Sequence, residues 1–224
     1  MCLRYTLTNL VLAAFQEELE AAAATAGVAW RPRYNAALTQ RMPVITRRKA
    51  KPVLESLAFG LTLPARAPGD RLMILGNART ETLLAKPAFR DAAQHRRCLV
   101  PADGFYEWEK SGRARLPHYY YLKDHQPFFF AGLWQPETEA TPAAFAIVTT
   151  EPNTLVRAIH DRMPVILGPN SGPEWLGDRP LEPARLARLC RPLPADRMTG
   201  HRVDPRMNSA RHESPDCVAP LNSV

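Results

Sequence analysis

The sequence predicts an α+β fold with a mixed, barrel-like sheet and peripheral helices. Three observations predict it: many short extended runs, interspersed helical runs without regular alternation, and 22 prolines among 224 residues, which exclude long helices from most of the chain. Hydrophobic residues make up 46% of the chain, enough for a sizeable core. Because no long polar linker appears, we expect one domain over residues 1–224, with a loose tail after about residue 215.

A helix is predicted over about residues 9–26. Leu10 and Ala14 stand at helical spacing, Thr8 can cap the start, and Gly27 follows the end. The next segment alternates extended pieces with turns and contains RRKAKP, which we interpret as a solvated basic loop at 47–52.

The remaining elements are short. Apolar or alternating runs predict strands at 43–46, 72–75, 97–100, 104–109, 118–123, 127–133, 144–149 and 164–167. Helical runs fit 80–84, 87–93, 153–158, 173–176 and 182–189. The last stretch, from residue 201, is expected to lay a terminal strand and a turn over the body of the domain.

Charge indicates a nucleic-acid partner. The net charge is +7, and the basic residues are 24 arginines against 5 lysines. The planar guanidinium binds phosphate through two hydrogen bonds and stacks on bases, although an arginine-rich genome would give the same count. The sequence has neither a run of about 18 apolar residues nor a signal-peptide pattern, so we expect no membrane association and a cytoplasmic, nucleoid-associated protein. No coiled-coil seam is visible, and a monomer is expected.

The four cysteines are scattered along the chain. No CxxC pair occurs, which argues against a zinc knuckle and a disulfide framework. His95 and Cys98 have an i, i+3 spacing, but nothing near them in sequence completes a ligand set. We therefore expect no metal and no cofactor. The four positions are Cys2, Cys98, Cys190 and Cys217.

The N-terminal stretch MCLRYTL places a cysteine directly after the initiator methionine. A small second residue permits removal of Met1, after which Cys2 would carry a free α-amine and a thiol on one residue. No internal cysteine can supply this 1,2-aminothiol. The alternative is that Cys2 is only an incidental member of a short N-terminal strand.

Three internal motifs carry further candidate residues. In PADGFYEWEK, a strand would place Glu107 on the face of Phe105, where desolvation raises a carboxyl pKa, but Glu107 also fits as a polar edge residue. In RAIHDRMPVIL, His160 and Arg162 stand at a helix-to-strand junction, where a histidine is catalytic or structural. In LGNARTE, Asn77 and Arg79 fit two interpretations. They form an anion site, or Asn77 is a capping residue and Arg79 is a surface arginine.

Taken together, these motifs resemble one family. The order MC.RY, RYNAA.TQ, NARTET, RRCLVPADGFYEW and HDRMPVIL is similar to the SRAP (SOS response-associated peptidase) family, whose better characterised members process abasic sites. The resemblance runs from Cys2 to about Pro215. It implies that the N-terminal cysteine forms a thiazolidine cross-link with the aldehyde of an abasic site in single-stranded DNA, with associated AP-lyase activity.

The resemblance also implies roles for individual residues. Cys2 would be the cross-linking residue, Asn77 would position it, Glu107 would shuttle protons, and His160 would assist ring opening and proton transfer. The residues matching DNA-phosphate contacts of the family are Arg4, Arg79 and Arg162. Trp108 is expected in the core rather than as a platform for base stacking.

The chain departs from the family pattern in three places. Leu3 replaces the glycine of MCGR, Leu38 replaces the proline of IAPTQ, and the tryptophan-rich segment is reduced to FGLTLPARA. Weaker or differently directed binding of single-stranded DNA is therefore expected. Two other functions remain open: a thiol-dependent (auto)peptidase using Cys2 and His160, and a non-covalent single-stranded DNA binder.

Overall fold

The computed structural model describes residues 2–8, 31–63, 72–168 and 170–221. The predicted helix over 9–26 lies outside these residues. The strands are β1 Arg4–Leu7, β2 Arg33–Ala37, β3 Arg41–Arg48, β4 Lys51–Phe59, β5 Leu61–Leu63, β6 Met73–Leu75, β7 Asn77–Arg79, β8 Arg97–Ala102, β9 Gly104–Ser111, β10 Ala114–Leu122, β11 Phe128–Gln135, β12 Ala144–Thr150, β13 Met163–Pro164, β14 Ile166–Leu167 and β15 Met198–Arg202.

The α-helices in the described ranges are α1 Pro87–His95, α2 Thr154–Arg157, α3 Ser171–Leu176 and α4 Pro183–Leu189. Short 3-10 turns cover Thr80–Thr82, Ala195–Arg197, Pro205–Asn208 and Pro215–Val218. The helices predicted at 87–93, 153–158, 173–176 and 182–189 are confirmed, whereas 80–84 begins as a 3-10 turn. None of the helices described combines the length and apolarity needed to cross a bilayer.

The strands form two main sheets. The first is antiparallel, in the order β15-β10-β9-β1-β2. The second follows β13-β12-β4-β3-β8-β11-β14, and a further β11–β12 pairing closes a ring of five of these strands. This sheet is mixed because β12 runs parallel to both β4 and β7. The predicted α+β class with a mixed sheet is thus confirmed; β5 and β6 form a separate hairpin.

Successive side chains of β9, in the motif PADGFYEWEK, pack in two different hydrophobic clusters. Phe105 joins the large cluster that also contains Cys2, whereas Tyr106 joins a smaller cluster with Met207 and Cys217. Gly104, the first residue of the strand, has no room for a side chain, because a Cβ there would clash with the Tyr119 hydroxyl. The period of two therefore places Phe105 and Glu107 on one face of β9, as expected.

The N-terminal strand is fastened at both ends. Tyr5 pairs with Phe105 of β9 and with Ala36 of β2. Beyond the strand, the Thr8 backbone N–H and hydroxyl both donate to the Asp103 carboxylate at 2.5 Å. Since residues on both sides hold β1, the position of Cys2 just before it is fixed by the sheet.

The predicted basic loop at 47–52 is wrong. β3 continues to Arg48, β4 begins at Lys51, and only Lys49 and Ala50, both with positive φ, form the turn. Arg48 lies over the Trp134 ring at 3.9 Å and pairs with Glu55, so its charge does not prevent pairing of the strands. The turn was missed because it contains none of the glycine or asparagine that usually supplies positive φ.

Part of the stretch after about residue 215, for which a loose tail is expected, makes specific contacts. Pro215–Val218 forms a 3-10 turn, Cys217 is only 1% exposed, and the Leu221 N–H donates to the Arg202 carbonyl at 2.8 Å. Asn35 holds the preceding segment by donating to the carbonyls of Met207, Ser209 and His212. A buried side-chain amide thus holds the segment that leads into this turn.

Candidate active site

Cys2 and Asn77 meet where β1 approaches β7. The Asn77 side-chain amide donates to the Cys2 carbonyl at 2.9 Å and to the Gly76 carbonyl at the same distance. β7 is held in place by parallel pairing with β12, in which Asn77 is opposite Ile147. The amide therefore fixes the backbone of Cys2 relative to the mixed sheet.

Glu107 is a buried carboxyl on β9, with 1% of its surface exposed. Burial raises its pKa from 4.5 to about 7, because removal from water penalises the charged form. At neutral pH the carboxyl is therefore present in both protonation states. The alternative that Glu107 is an exposed edge residue is excluded by this burial.

His160 lies beside Glu107, with its Nε2 atom 3.8 Å from Glu107 Oε2. Burial lowers the pKa of the imidazole. The Arg162 backbone N–H donates to His160 Nδ1 at 3.0 Å, so the neutral ring carries its proton on Nε2, facing Glu107. The Asp161 carboxylate also lies 3.1 Å from Nδ1, but its side chain is 81% exposed.

The Cys2 thiol is fully buried and belongs to the same apolar cluster as Phe105. Burial raises its pKa well above the usual value, and the Glu107 carboxylate raises it further. The sulfur contacts the Arg4 carbonyl at 3.8 Å. At neutral pH this side chain is a thiol, and its proton has to leave before or while the sulfur forms a bond.

A pocket of about 360 Å³ opens onto the carboxyl and the imidazole. Glu107 and His160 line it together with Trp108, Arg115 and Asn208. The Trp108 indole N–H donates to Asn208 Oδ1 at 2.6 Å, so Trp108 is half-buried at the pocket wall instead of in the core. No sequence motif indicates Asn208, because only the fold brings the C-terminal segment to β9.

The three predicted phosphate-binding arginines differ in their surroundings. Arg79 is exposed. Arg4 is half-buried, and its guanidinium donates to Asn35 Oδ1 at 2.8 Å and to the Met207 and Asn208 carbonyls. Arg162 is 9% exposed and forms a two-point ion pair with Glu81. Arg79 is thus the one of the three with an exposed side chain.

A possible ligand set for a metal lies elsewhere in the described part of the chain. His212, Asp216 and Cys217 place ligand atoms within 4.8 Å of one another. However, Asp216 already forms an ion pair with Arg206, at 3.0 Å, whose cation would repel a metal ion. The cluster is a hydrogen-bonded support of the C-terminal turn, and it is separate from the residues around Cys2.

The arrangement around Cys2 is suited to proton transfer. A carboxyl with a pKa near neutrality and a neutral imidazole form a pair that exchanges protons at pH 7. The structure brings Cys2, Asn77, Glu107 and His160 together, while Arg4, Arg79 and Arg162 surround this group with different degrees of exposure.

Comparisons with known proteins identify the family. The family model described as SOS response associated peptidase (SRAP) matches residues 1–210. "Abasic site processing protein YoqW" of Bacillus subtilis is 37% identical over 196 residues, which are 84% of this chain and 86% of that protein. "Abasic site processing protein YedK" of Escherichia coli is 30% identical, over 84% of this chain and 85% of that protein.

The similarity extends to a vertebrate protein and to a solved structure. "Abasic site processing protein HMCES" of Gallus gallus is 27% identical over 86% of this chain and 67% of that protein. A crystal structure of a Bacteroides thetaiotaomicron protein superposes with a TM-score of 0.77 at 24% identity, covering 99% of this chain and all of the other. The chain belongs to the SOS response associated peptidase (SRAP) family.

Proposed function

We propose that this protein processes abasic sites in single-stranded DNA by forming a covalent thiazolidine cross-link through Cys2, after removal of Met1, and that it has associated AP-lyase activity. The observation that carries the proposal is the Asn77 amide on the Cys2 carbonyl, in a site that contains a carboxyl with a pKa of about 7 and a neutral imidazole. Family membership and the names of the relatives support the substrate class.

The chemistry starts at the amine. An α-amine with a pKa of about 7.7 to 8.0 is partly neutral at pH 7 and attacks the aldehyde carbon, giving a carbinolamine. Loss of water gives an imine. The thiol on the same residue then adds to the imine carbon at high effective concentration, and its proton goes to the nitrogen. The product is a five-membered ring that contains the sulfur, the nitrogen and the former aldehyde carbon.

The electrostatics favour this order of steps. Because burial raises the pKa of the Cys2 thiol, a thiolate that attacks first is disfavoured. The same fact weakens the peptidase alternative, which needs a thiolate nucleophile. Glu107 would take the ammonium proton and return it to the hydroxyl that leaves as water.

His160 would assist opening of the sugar ring and, from the imine, reversal of the cross-link or cleavage of the strand. Its Nε2–H points toward Glu107, and it can donate a hydrogen bond to the ring oxygen as the deoxyribose opens, while the protonated form of Glu107 supplies the proton. From the imine, removal of a proton next to the imine carbon expels the 3′ phosphate, which is the lyase reaction. The exposed Arg79 and the arginine-rich composition support binding of the flanking phosphates. We further propose that the protein acts as a monomer on nucleoid DNA.

The experiment uses purified protein whose loss of Met1 is verified by intact mass. Wild type, Cys2→Ala, Cys2→Ser and Cys190→Ser are incubated with single-stranded DNA carrying one abasic site and separated on a denaturing gel. Wild type and Cys190→Ser should give a heat-stable shifted band, and Cys2→Ala should give none. Cys2→Ser keeps the amine and should give a stable band only after borohydride reduction.

Two results would refute the proposal. The first is a heat-stable band of undiminished intensity in Cys2→Ala, which would move the cross-link to another residue. The second is the absence of a band from wild-type protein that has lost Met1. Cleavage at the abasic site, followed on the same gel as a shorter labelled strand, measures the lyase reaction independently.

A further inference from the structure

The hairpin of β9 and β10 places two cations directly opposite each other. In the antiparallel register of these strands, Arg115 is the partner of Lys110. Both residues are exposed, and neither forms an ion pair with a residue that the structure describes. Like charges at opposite positions of two strands destabilise the pairing. A position that breaks this rule without a compensating partner is typical of a functional surface.

Arg115 lines the same pocket as the two residues suited to proton transfer. The pocket of about 360 Å³ has Glu107 and His160 in its wall, and Arg115 is the one arginine or lysine among the lining residues in the described part of the chain. Burial lowers the pKa of His160, and the Lys110 ammonium lowers it further. Both cations of the hairpin therefore lie close to the place where the proposed reaction occurs.

The backbone of Arg115 is held by Asn208. The Asn208 side-chain amide donates to the Arg115 carbonyl at 3.1 Å, and its Oδ1 atom accepts from the Trp108 indole N–H at 2.6 Å. One amide thus fastens both strands of the hairpin to the C-terminal segment. Because its backbone is fixed in this way, Arg115 loses less conformational entropy when its guanidinium binds a ligand.

Arg79 and Arg115 approach the site from different sheets. Arg79 ends β7, which carries Asn77 and pairs with β12 of the mixed sheet, whereas Arg115 lies on β10 of the antiparallel sheet. Cys2 lies where the two sheets meet, because its carbonyl accepts from Asn77 and it precedes β1, which pairs with β9. The two exposed arginines therefore approach the reactive cysteine from two sides. An abasic nucleotide within a strand likewise has a phosphate on each side of its deoxyribose.

We propose that Arg115 binds a DNA phosphate at the mouth of the pocket, on the side of the abasic nucleotide opposite to the phosphate bound by Arg79, and that Lys110 adds to the attraction. The inference rests on the proposed function, since it assigns a phosphate of the same substrate. A planar guanidinium suits a phosphate because it donates two parallel hydrogen bonds. The bound anion also relieves the repulsion between Arg115 and Lys110.

The test combines removal of a charge from the protein with removal of a charge from the DNA. Arg115→Gln, Arg115→Lys, Arg79→Gln and, as a matched control, Arg90→Gln at an exposed position of α1 are titrated with single-stranded DNA at several salt concentrations. The strand carries a tetrahydrofuran analogue of the abasic site, which has no aldehyde, so that binding stays non-covalent. In further strands, one phosphate at a time is replaced by an uncharged methylphosphonate.

Arg115→Gln should weaken binding by about threefold to tenfold and lower the slope of log affinity against log salt by about 0.7, whereas Arg115→Lys should keep the slope. The unfolding midpoint of Arg115→Gln should not fall, because the free hairpin loses a repulsion. The effect of Arg115→Gln should disappear on a strand with one particular uncharged phosphate, and that of Arg79→Gln on a strand modified on the other side of the analogue. Arg90→Gln should bind every strand as wild type does.

Unchanged affinity and salt slope in Arg115→Gln would overturn the inference, as would coupling of Arg115 and Arg79 to the same phosphate. The proposed function is tested separately, with the natural abasic site on the denaturing gel. If wild type forms no cross-link there but the two arginines couple to two phosphates, the proposed function fails and the phosphate contact of Arg115 stands. If the cross-link forms and Arg115 couples to no phosphate, only the phosphate contact is refuted.

Discussion

The side-chain amide of Asn77 donates to the backbone carbonyl of Cys2 at 2.9 Å. The amide oxygen of Asn77 is buried and has no hydrogen-bond partner among the residues described. The amide nitrogen of Asn77 therefore holds the backbone of Cys2, and the amide oxygen remains able to accept a hydrogen bond from a reacting group. This contact connects a residue before the first strand to one 75 positions later.

Replacement of Asn77 should slow the cross-linking reaction more than it weakens DNA binding. Asn77→Ala removes the donor to Cys2, and we expect the single-turnover rate to fall by about tenfold to 100-fold because the amine and thiol lose their fixed orientation. Asn77→Asp keeps the size but replaces the donor with a second acceptor, and it should be equally slow. A rate within twofold of wild type in both variants would show that the amide does not orient the nucleophile.

The cross-linking rate should increase with pH through about pH 7. Glu107 accepts a proton only in its ionised form, and its pKa is raised to about 7 by burial. Glu107→Gln should lower the rate by at least about 100-fold and remove this rise, leaving only the titration of the amine. The rate is measured under single-turnover conditions from pH 5.5 to 9. An identical profile for the two proteins would contradict the role of Glu107.

Glu107 should also make the folded protein less stable as pH rises. The raised pKa means that the folded state binds this proton more tightly than the unfolded state, so stability falls between about pH 4.5 and 7 and this contribution is constant above that range. Glu107→Gln should therefore be stabilised relative to wild type at pH 8 by up to about 3 kcal/mol, and much less at pH 5. Urea unfolding at both pH values measures the difference; an equal effect at pH 5 and 8 would contradict it.

Gly76 should not tolerate a side chain, because Leu3 and Leu38, two of the three departures from the family pattern, crowd it. A Cβ at Gly76 would lie 2.5 Å from Leu3 Cδ2 and 2.7 Å from Leu38 Cδ2. We expect Gly76→Ala to lose about 1–3 kcal/mol of stability from overpacking. Addition of Leu38→Ala should recover part of that loss. Gly177→Ala is the control, since its Cβ would meet only ordinary contacts at 3.4 Å or more.

Arg79 and Arg4 should differ in what their replacement changes. Arg79 is exposed, so Arg79→Gln should lower the slope of log affinity against log salt by about 0.7, with an unchanged unfolding midpoint. Arg4 donates three hydrogen bonds to Asn35 and the C-terminal segment, and Arg4→Gln should instead lower the unfolding midpoint. Salt titrations and thermal melts of both variants test the contrast; equal effects of the two on the salt slope would contradict it.

The sequence by itself determined the fold class, most element positions and the residues around Cys2. Local patterns suffice for these, because the alternation of PADGFYEWEK selects the face of Glu107, and proline spacing limits the helices. The identity of the four central residues came from motifs that resemble a family, and that family is confirmed. Their catalytic roles stay predictions.

Only the tertiary structure decided which charged groups are free and which are committed to the fold. Nothing in the sequence distinguishes Arg4, Arg79 and Arg162. In the structure, Arg4 donates to Asn35, 31 positions away, and Arg162 pairs with Glu81, 81 positions away. The pKa of Glu107 depends on burial by strands from both halves of the chain. Such properties follow from desolvation and long-range pairing, which are set only when the sheets are assembled.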